Sequence, residues 1–528
     1  MHPNNGQQFI NGQRIATNAP SIASIAAQDY QPTGYLFSQA TLDEVNQAAE
    51  AAHAAYLTYS RTSAEQRAHF LDEIAHQIEA LGSSLQEVAA LETGLPLARL
   101  QGETGRVTGQ LRLFAGLLRR GDFYGARIDT ALPERKPLPR VDLRQCKTGV
   151  GAVAVFGASN FPLAFSTAGG DTVAALAAGC SVVFKAHSGH MATAELVAEA
   201  IEKAILSCNM PSGTFNMIFG SRVGANLVEH PLIQAAGFTG SLEGGMALYN
   251  LAQSRPQPIP FFAEMSSVNP VVVLAQALEN RGEQIAKDTV ASFNMGCGQF
   301  CTKPGLIVGV KSPAFDAFIQ QLIASTQAAA PQVMLNQGTL KSYQQGLAAL
   351  QDEAGFELLA TGTAAELVSQ AQAHLFQADA AVLQSGNPKL QHEVFGPMSI
   401  VIAVEDEAAL LQGLNALAGQ LTATIIGDDA DFENAAELLQ LLTRKAGRVL
   451  FNGFPTGVEV SDAMVHGGPF PATSDARGTS VGTGAIERFL RPVCYQNTPQ
   501  TLLPAALQDQ NPLGITRLVN GQWSTAAL

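Results

Sequence analysis

The chain has 528 residues, more than a single hydrophobic core usually accommodates, so we expect at least two domains. Its formal net charge of −14 argues against nucleic acid as a partner, and no apolar run is long enough to predict a membrane span. Six sparse, irregularly spaced cysteines and an amino terminus without the apolar segment of a signal peptide predict free thiols in a reducing cytoplasm.

The first 130 residues are predicted to be mainly helical, because apolar residues recur there at helical spacing. Helix starts are indicated where a hydroxyl side chain stands three residues before a carboxylate, since the two can then satisfy free backbone amides. Three such capping boxes are predicted: Thr41 with Glu44, Thr62 with Glu65 and Ser84 with Glu87.

The segment 132–147 differs in composition from what precedes it. It contains three prolines and five Arg and Lys residues, which suits an exposed, extended arm better than a core element.

From residue 148 onward, short β-rich runs alternate with helical patterns, which predicts a parallel sheet with helices on both faces. A second α/β unit is expected to begin near residue 266, and Asn520-Gly521 in the tail predicts a hairpin. The strand candidates are 151–158, 181–186, 214–220 and 234–240 in the first unit, and 270–274, 305–310, 399–404 and 421–427 in the second.

Polar or glycine-rich stretches follow four of the predicted strands, where parallel sheets gather their ligands. One of them, GFTGSLEGG, leaves a strand and opens a helix whose free amides could bind phosphate. The chain has no G-x-G-x-x-G motif, so an ordinary Rossmann dinucleotide site is not predicted. The four stretches are FGASNFP, FKAHSG, GFTGSLEGG and FFAEMSS.

Two cysteines, Cys297 and Cys301, stand four residues apart in NMGCGQFCTKPG and allow a metal clip, a disulfide or a nucleophile with a neighbour. A zinc site would need about four ligands, and no second pair is present. A thiolate nucleophile needs a base and a group that stabilises an oxyanion. Glu264 and Asn160 are the candidates for these two tasks.

The motifs, taken in order, resemble those of the aldehyde dehydrogenase superfamily. The segments 451–460, 463–475, 479–499 and 511–521 further resemble the branch with bacterial α-ketoglutaric semialdehyde (2,5-dioxopentanoate) dehydrogenases and an NADP-dependent fatty aldehyde dehydrogenase. The family motifs are FGASNFPLAFS around Asn160, FKAH around Lys185, GFTGS at 237–241, AEMSSVNP around Glu264, GQFCTKPG around Cys301 and EVFGP at 393–397.

The resemblance implies an α/β aldehyde dehydrogenase-like fold with three parts. The expected parts are an NAD(P)-binding domain built on a parallel sheet (1–132 and 149–265), an α/β catalytic domain (266–488), and a small β oligomerisation arm (133–148 and 489–500), followed by a tail (501–528). A homodimer or homotetramer is expected, with a small-molecule aldehyde as substrate.

The resemblance also implies catalytic roles. Cys301 would attack the aldehyde, Asn160 and the Cys301 backbone amide would hold the oxyanion, and Glu264 would activate water. The resemblance places His466 near the nucleophile, with a catalytic and a structural role both open, and Cys297 is expected to be a packing residue. No metal is expected.

For the cofactor, NADP is favoured over NAD, because Lys185 is followed by His187 and Ser188 rather than by an acidic residue, and because Arg222 lies on the next β-α turn. The family's ELGGKNP is EMSSVNP here and its K-P-S pattern is KAHS, so both departures touch cofactor binding. The expected cofactor residues are Lys185, His187, Ser188 and Arg222 near the adenosine, Gly240 and Ser241 at the pyrophosphate, and Glu393 and Phe395 at the nicotinamide ribose.

For the substrate, 2,5-dioxopentanoate is favoured over a long-chain fatty aldehyde. A charged substrate implies a cation in the pocket, for which Arg106 and Arg477 are candidates, whereas several phenylalanines could instead line an apolar tunnel. A CoA-acylating dehydrogenase and a non-catalytic protein with this fold are also considered, and the presence of Glu264 argues against the former. The expected pocket residues are Phe161, Phe165, Phe300, Phe454, His466 and Phe470.

Overall fold

The computed structural model describes residues 5–528, so the first four residues of the predicted nucleotide-binding domain lie outside the described residues. None of the helices in this range combines the length and apolarity needed to cross a bilayer. The helices are α1 (Leu42–Tyr59), α2 (Ala64–Glu79), α3 (Ser83–Thr93), α4 (Leu97–Arg120), α5 (Asp171–Ala177), α6 (Met191–Ser207), α7 (Val223–Glu229), α8 (Leu242–Ser254), α9 (Ala275–Asn294), α10 (Pro313–Gln327), α11 (Gln337–Gln351), α12 (Ala380–Gln384), α13 (Pro388–Gln391), α14 (Glu407–Ala416), α15 (Asp429–Phe432) and α16 (Ala436–Lys445). The strands are β1 (Gln8–Ile10), β2 (Gln13–Ile15), β3 (Pro20–Ile25), β4 (Pro32–Ser38), β5 (Arg127–Asp129), β6 (Leu143–Gly149), β7 (Ala152–Phe156), β8 (Ser181–Lys185), β9 (Phe215–Ile218), β10 (Ile233–Thr239), β11 (Phe261–Glu264), β12 (Pro270–Val273), β13 (Leu306–Val310), β14 (Gln332–Val333), β15 (Phe356–Thr361), β16 (Gln370–Ala371), β17 (His374–Ala378), β18 (Met398–Val404), β19 (Gln420–Ile426), β20 (Ala446–Phe451), β21 (Leu490–Gln496), β22 (Arg517–Val519) and β23 (Gln522–Ser524).

The first sheet has the order β11-β10-β7-β8-β9-β1-β2, in which β7 to β11 run parallel and β1 and β2 are antiparallel additions. The chain moves outward from β7 through β8 to β9 and then returns to the other side of β7 with β10. The order therefore reverses between β7 and β10, which is where open α/β sheets bind ligands.

Both faces of this sheet are buried, as the continuous apolar runs predict. Val153 and Val155 of β7 pack on one face with residues of α2, α4, α5 and α6. Ala152, Ala154 and Phe156 of the same strand pack on the other face with residues of α1, α7 and α8. Neighbouring side chains on a strand point to opposite faces, so five consecutive apolar residues are what a strand covered on both sides requires.

The second sheet has the order β15-β17-β18-β13-β12-β19-β20, and only β15 runs antiparallel to its neighbour. Helices α9 and α10 contribute to the core on one face, and α11, α12, α14 and α16 contribute on the other. This sheet is the second α/β unit, and its first strand begins at Pro270.

A third sheet, β21-β6-β5-β22-β23, joins the predicted arm to the end of the chain. Strand β6 pairs with β21 from Leu143↔Gln496 to Gly149↔Leu490, and Asn520-Gly521 forms the hairpin between β22 and β23. The domain and arm limits given above stay a prediction, although these pairings agree with a β arm built from two distant segments.

The amino-terminal region differs from the expectation in two respects. Strands β1 to β4 precede the first helix, where a mainly helical region was predicted. Strands β1 and β2 have only three residues each, which is too short for a periodic pattern. The capping box of Thr41 and Glu44 is confirmed, with Glu44 N donating to Thr41 Oγ1 at 3.2 Å.

The other two predicted capping boxes are wrong. Helix α2 is capped one residue later, by Ser63 and Gln66, and Gly82 precedes α3 without a side-chain cap. The sequence offers several hydroxyls near each helix start, so only the backbone register decides which one caps the helix.

Candidate active site

Four of the predicted functional segments meet at one edge of the first sheet. Strand β7 ends just before the loop of Asn160, β8 ends at Lys185, β10 leads into Gly240 and β11 ends at Glu264. All four strands run parallel, so their carboxyl ends share this edge.

The loop with the two cysteines follows α9 and contains a left-handed turn, with φ of 55° at Gly296, 59° at Cys297 and 63° at Gly298. A Cβ at position 298 would lie 2.2 Å from Gly396 O, so the close approach of another backbone requires glycine there. The side-chain amide of Asn269 holds the far end of the loop, because its Nδ2 donates to Cys301 O and to Lys303 O, both at 2.9 Å.

Three chemically active side chains converge on this loop. His466 Nε2 lies 3.3 Å from Cys301 Sγ and 2.7 Å from Glu264 Oε1. The second carboxylate oxygen of Glu264 accepts a hydrogen bond from Ser480 Oγ at 2.6 Å. His466 and Glu264 are buried, whereas Cys301 is partly exposed, so a reactant can reach the thiol while the partners stay shielded.

The electrostatics of this cluster favour an ionised Glu264 and a protonated Cys301. Burial raises the pKa of Glu264, but His466, Ser480 and Cys301 outweigh burial and hold it below its usual value. Burial and the negative charge of Glu264 raise the pKa of the Cys301 thiol well above its usual value, and Arg106 lowers it. Deprotonation of Cys301 therefore requires an acceptor close by, and Glu264 and His466 are both within reach.

Cys297 has a different environment. Its Sγ lies 3.3 Å from Gln332 O and 3.3 Å from Met334 Sδ, and burial raises the pKa of the thiol to about 12. No disulfide joins the cysteines among the described residues. The ligand atoms of Glu264, Cys301 and His466 all lie within 4.8 Å of one another, a spacing that could also hold a metal ion, so the absence of a metal stays a prediction.

Asn160 lies beside this cluster on the loop after β7. Its Nδ2 donates one hydrogen bond, to Gln299 O at 3.0 Å, which leaves the second N–H of the amide for a ligand. The Cys301 backbone N–H has no acceptor among the described residues. Two donors suited to an oxyanion therefore flank the thiol.

Arg99 connects the Asn160 loop to the cysteine loop. Its Nη2 donates to Asn160 O at 2.7 Å, and its guanidinium lies 4.7 Å from the ring centroid of Phe300. Glu103 pairs with Arg99 and accepts hydrogen bonds from the Leu163 and Ala164 amides. Sequence reasoning missed Arg99, since its position on a predicted helix carried no motif.

An aromatic cluster borders the site. The ring centroid of Phe161 lies 5.4 Å from those of both Phe165 and Phe300. The guanidinium of Arg106 lies 5.8 Å from the Phe161 ring and 5.3 Å from the Phe165 ring. Its Nε and one Nη are buried without a hydrogen-bond partner among the described residues, so Arg106 is a cation available to a ligand.

The structure does not bring the other predicted pocket residues into this cluster. Phe454 packs against the apolar core around α9 and α10, and the Phe470 side chain is 57% exposed. The Arg477 side chain is 89% exposed and pairs with Asp475. Proximity along the chain to the motifs around His466 suggested Phe470 and Arg477, but their side chains face solvent.

A small cleft that opens to solvent has Glu264 in its lining. Its lining includes His466, Thr479 and Ser480, together with Asp475 and Arg488. The polar lining can accommodate water beside the Glu264 carboxylate. Sequence reasoning missed Ser480 and this cleft, because no local pattern links the segment 473–488 to Glu264.

The predicted adenosine residues lie at the ends of β8 and β9. Lys185 pairs in register with Ile218, four residues before Arg222, so the two cations share one end of the sheet. The ammonium of Lys185 has no partner among the described residues, and burial lowers its pKa to about 8. Ser188 and Arg222 are exposed. His187 Nδ1 accepts a hydrogen bond from Gly189 N at 3.0 Å, and its ring stacks on His190.

The predicted pyrophosphate and ribose residues lie nearer the cysteine loop. Ser241 caps α8 through a hydrogen bond from Gly244 N at 3.2 Å, and Gly240 and Ser241 are exposed at this helix start. Glu393 and Phe395 lie on the loop between α13 and β18 and are partly exposed. The unpartnered Lys185 ammonium and the free amides of the α8 start fit the anionic and hydroxyl groups of a dinucleotide.

Comparison with known proteins agrees with the resemblance seen in the motifs. The sequence profile described as the aldehyde dehydrogenase family matches residues 16–484. The chain is 82% identical over 521 residues to "Alpha-ketoglutaric semialdehyde dehydrogenase" of Acinetobacter baylyi, which covers 99% of both chains. It is 50% identical over 521 residues to "Alpha-ketoglutaric semialdehyde dehydrogenase 2" of Azospirillum brasilense, with 98% of this chain and 99% of that protein covered.

Solved structures agree in fold at much lower identity. Betaine aldehyde dehydrogenase from Staphylococcus aureus in complex with NAD+ superimposes with a TM-score of 0.80 at 21% identity, covering 94% of this chain and 96% of the other. An NADP-dependent enzyme of Escherichia coli gives a TM-score of 0.77 at 22% identity, covering 93% of this chain and 98% of the other.

Proposed function

The chain belongs to the aldehyde dehydrogenase family, and on that premise we propose that it oxidises 2,5-dioxopentanoate to 2-oxoglutarate with NADP as the hydride acceptor. Oxidation of an aldehyde to a carboxylate is supported by the two full-length relatives, which are named for the semialdehyde of α-ketoglutarate. The observation that carries the chemistry is the cluster of Cys301, His466 and Glu264, in which His466 contacts both other side chains and the ligand atoms of all three lie within 4.8 Å of one another.

Cys301 attacks the aldehyde carbon in the first half-reaction. Its proton passes to Glu264, whose carboxylate is held in place by His466 and Ser480. The new C–S bond turns the carbonyl oxygen into an oxyanion, which the free N–H of Asn160 and the Cys301 backbone amide stabilise. The cofactor, which Lys185, Ser241 and Glu393 would hold, would supply the hydride acceptor, and loss of hydride from the carbon would convert the thiohemiacetal into a thioester.

Water releases the acid in the second half-reaction. Glu264, having lost its first proton to solvent through the cleft, takes a proton from water as the water attacks the thioester carbon. The C–S bond breaks, and the thiolate recovers a proton as Cys301 returns to its starting state. The ring of His466 orients the Glu264 carboxylate toward both the thiol and the water.

Arg106 supports the choice of a charged substrate. Two nitrogens of its guanidinium are buried without a hydrogen-bond partner among the described residues. Burial lowers the pKa of Arg106, and the negative charge of the Cys301 thiolate raises it. A buried guanidinium without a partner is unfavourable, and the carboxylate at the far end of a keto-acid semialdehyde would supply the missing acceptor. The rings of Phe161 and Phe165, which Arg106 covers, favour the competing proposal of a fatty aldehyde substrate.

The substrate assignment is tested by measuring kcat/KM on 2,5-dioxopentanoate and on pentanal. The measurement compares the native enzyme with Arg106→Met and Arg477→Met. We expect Arg106→Met to lose about tenfold to hundredfold in kcat/KM on the keto acid, the equivalent of one buried charge-assisted pair, and little on pentanal. Arg477→Met is the surface control and should change neither value. A native enzyme that prefers decanal to the keto acid would overturn the substrate class.

The preference for NADP is supported by the cations at the adenosine end. Lys185 and Arg222 can pair with a 2′-phosphate, and Ser188 can donate a hydrogen bond to it. We expect a higher kcat/KM with NADP than with NAD, and we expect Arg222→Ala to lower only the value for NADP. An equal or higher value with NAD, unchanged in Arg222→Ala, contradicts the assignment.

A further inference from the structure

Lys303, two residues after the nucleophile, is a buried cation that the proposed reaction does not use. Its side chain is 3% exposed, and its Nζ donates to Met398 O at 2.8 Å. Lysine is rarely buried unless a partner stabilises its charge, and one carbonyl oxygen is a weak partner for an ammonium. The position of Lys303 therefore needs a reason beyond packing.

The hydrogen bond of Lys303 joins two loops of the site. Met398 begins β18 and ends the loop that carries Glu393, while Lys303 lies on the cysteine loop. The same two loops touch at a second point, where Gly298 lies so close to Gly396 O that a Cβ would not fit. The Glu393 loop is thus attached to the cysteine loop on either side of Cys301.

Lys303 also interacts electrostatically with the carboxyl group of Glu393. The Glu393 carboxyl interacts with the positive charge of Lys303 and the negative charge of Glu264, and it accepts hydrogen bonds from Ser266 and Ser267. The negative charge of Glu393 in turn raises the pKa of the Cys301 thiol. Burial raises the pKa of Glu393, and Lys303 is the main influence that lowers it. Burial lowers the pKa of Lys303, and Glu393 raises it.

We propose that Lys303 is a positioning residue for the cofactor. It holds the Glu393 loop against the cysteine loop, and its positive charge favours the charged form of the Glu393 carboxylate, which accepts the hydroxyls of the nicotinamide ribose. The proposal rests on the proposed role of Glu393. A charged carboxylate accepts hydrogen bonds from two hydroxyls, whereas a protonated one gives up one acceptor site to its own proton.

Loss of the Lys303 charge has a defined consequence for pH. The pKa of Glu393 would rise further, so the carboxyl would be protonated over a wider range and cofactor binding would be weakest at and below neutral pH. As the pH rises past the raised pKa, the carboxylate forms without help and binding recovers. The defect should therefore be largest at low pH and narrow as the pH rises through the raised pKa of Glu393.

The test measures equilibrium binding of NADP+ and, in parallel, NAD+, by calorimetry without aldehyde, so it does not depend on the substrate assignment. We expect Lys303→Met to raise Kd about tenfold or more at pH 7 and progressively less toward pH 9. Lys303→Arg, which keeps the charge, should recover most of the affinity. Lys311→Met is the control, because Lys311 is exposed and pairs only with Glu405.

Glu393→Gln is the second variant of the test. It allows the proposal to be tested even if Lys303→Met does not fold. Its binding should be weak and independent of pH, and adding Lys303→Met to it should weaken binding no further. An unchanged Kd in Lys303→Met or in Glu393→Gln, or a loss that is equal at every pH, would overturn the proposal and leave Lys303 as a packing residue.

Discussion

The two cysteines show how environment separates residues that are only four positions apart. Cys297 has a left-handed backbone and a thiol turned toward Gln332 and Met334, away from any base. Cys301 faces His466 and Glu264 at the edge of the first sheet. The motif register and the geometry select the same residue as nucleophile, and the assignment can be tested by mutation.

We expect Cys301→Ala to reduce dehydrogenase activity to background and Cys297→Ala to retain most of it, because only Cys301 can transfer its proton to Glu264 and bond to substrate. Steady-state formation of reduced cofactor measures both. A dead Cys297→Ala enzyme, or inactivation of the native enzyme by a chelator, would contradict the single-nucleophile mechanism, the second because it would indicate a required metal.

Glu264→Gln separates the two half-reactions. An amide cannot accept a proton from water, so we expect deacylation to slow by about a hundredfold or more, with an acyl-enzyme accumulating. His466 or solvent can still take the Cys301 proton, since Nε2 lies 3.3 Å from the thiol. Rapid mixing should therefore show a burst of reduced cofactor close to one per site, followed by a slow rate.

Equal loss of the burst and the steady rate in Glu264→Gln would show that no other group can replace Glu264 as the acceptor of the thiol proton in the first half-reaction. Ser480→Ala is a matched control for the hydrogen bond on the second carboxylate oxygen. It should slow both steps modestly, because the carboxylate remains and only its orientation is loosened.

At the scale of elements, helix ends depend on one hydroxyl in the correct register. Thr41 and Glu44 close a complete capping box on α1, and Glu44 also accepts a hydrogen bond from Thr17 N at 2.7 Å. Helix α1 in turn covers one face of the first sheet. The first turn of α1 therefore links the amino-terminal segment to the first sheet.

We expect Thr41→Ala to destabilise the first turn of α1 by about 1 kcal/mol, since the Glu44 amide loses its side-chain acceptor, Thr41 Oγ1. Hydrogen exchange of the peptide spanning 42–46 should accelerate about fivefold. Ser83→Ala is the control, because Ser83 begins α3 without capping it. Equal exchange in both variants would show that packing, not capping, protects this turn.

At the scale of the whole molecule, the arm and tail form one unit. Arg144 of β6 pairs with Asp509 and donates to Leu507 O, both at 2.7 Å, which fixes the tail on the third sheet. Large apolar side chains on this unit are nonetheless exposed, an arrangement that favours contact with another copy of the chain. The most exposed are Leu138 (70%), Leu502 (72%) and Trp523 (68%).

We expect the native enzyme to be a homodimer or homotetramer and the double variant Leu138→Asp with Leu502→Asp to sediment as a smaller species, because charges in an apolar interface lose hydration. Analytical ultracentrifugation measures both. Leu206→Asp is the control, since Leu206 is 74% exposed at the end of α6, away from the arm. A monomeric native enzyme would contradict the prediction of an oligomer.

The α/β class, the main strands of both large sheets and the residues of the active-site motifs could all be predicted from the sequence. Buried strand segments such as 152–156 and 400–404 are continuous apolar runs. Gly240, Glu264 and Cys301 stand in local motifs that can be identified without knowledge of the fold. Local periodicity and motif spacing are properties of neighbours in the chain, so they can be interpreted without coordinates.

Which of these residues meet depends on the packing of distant segments. His466 reaches Cys301 across 165 positions, and Ser480 reaches Glu264 across 216. Arg106 and Arg477 were equal candidates in the sequence, but the structure distinguishes them. Two guanidinium nitrogens of Arg106 are buried without a partner among the described residues, whereas Arg477 is exposed and pairs with Asp475. Burial and pairing arise between segments far apart in the chain, and no local pattern encodes that packing.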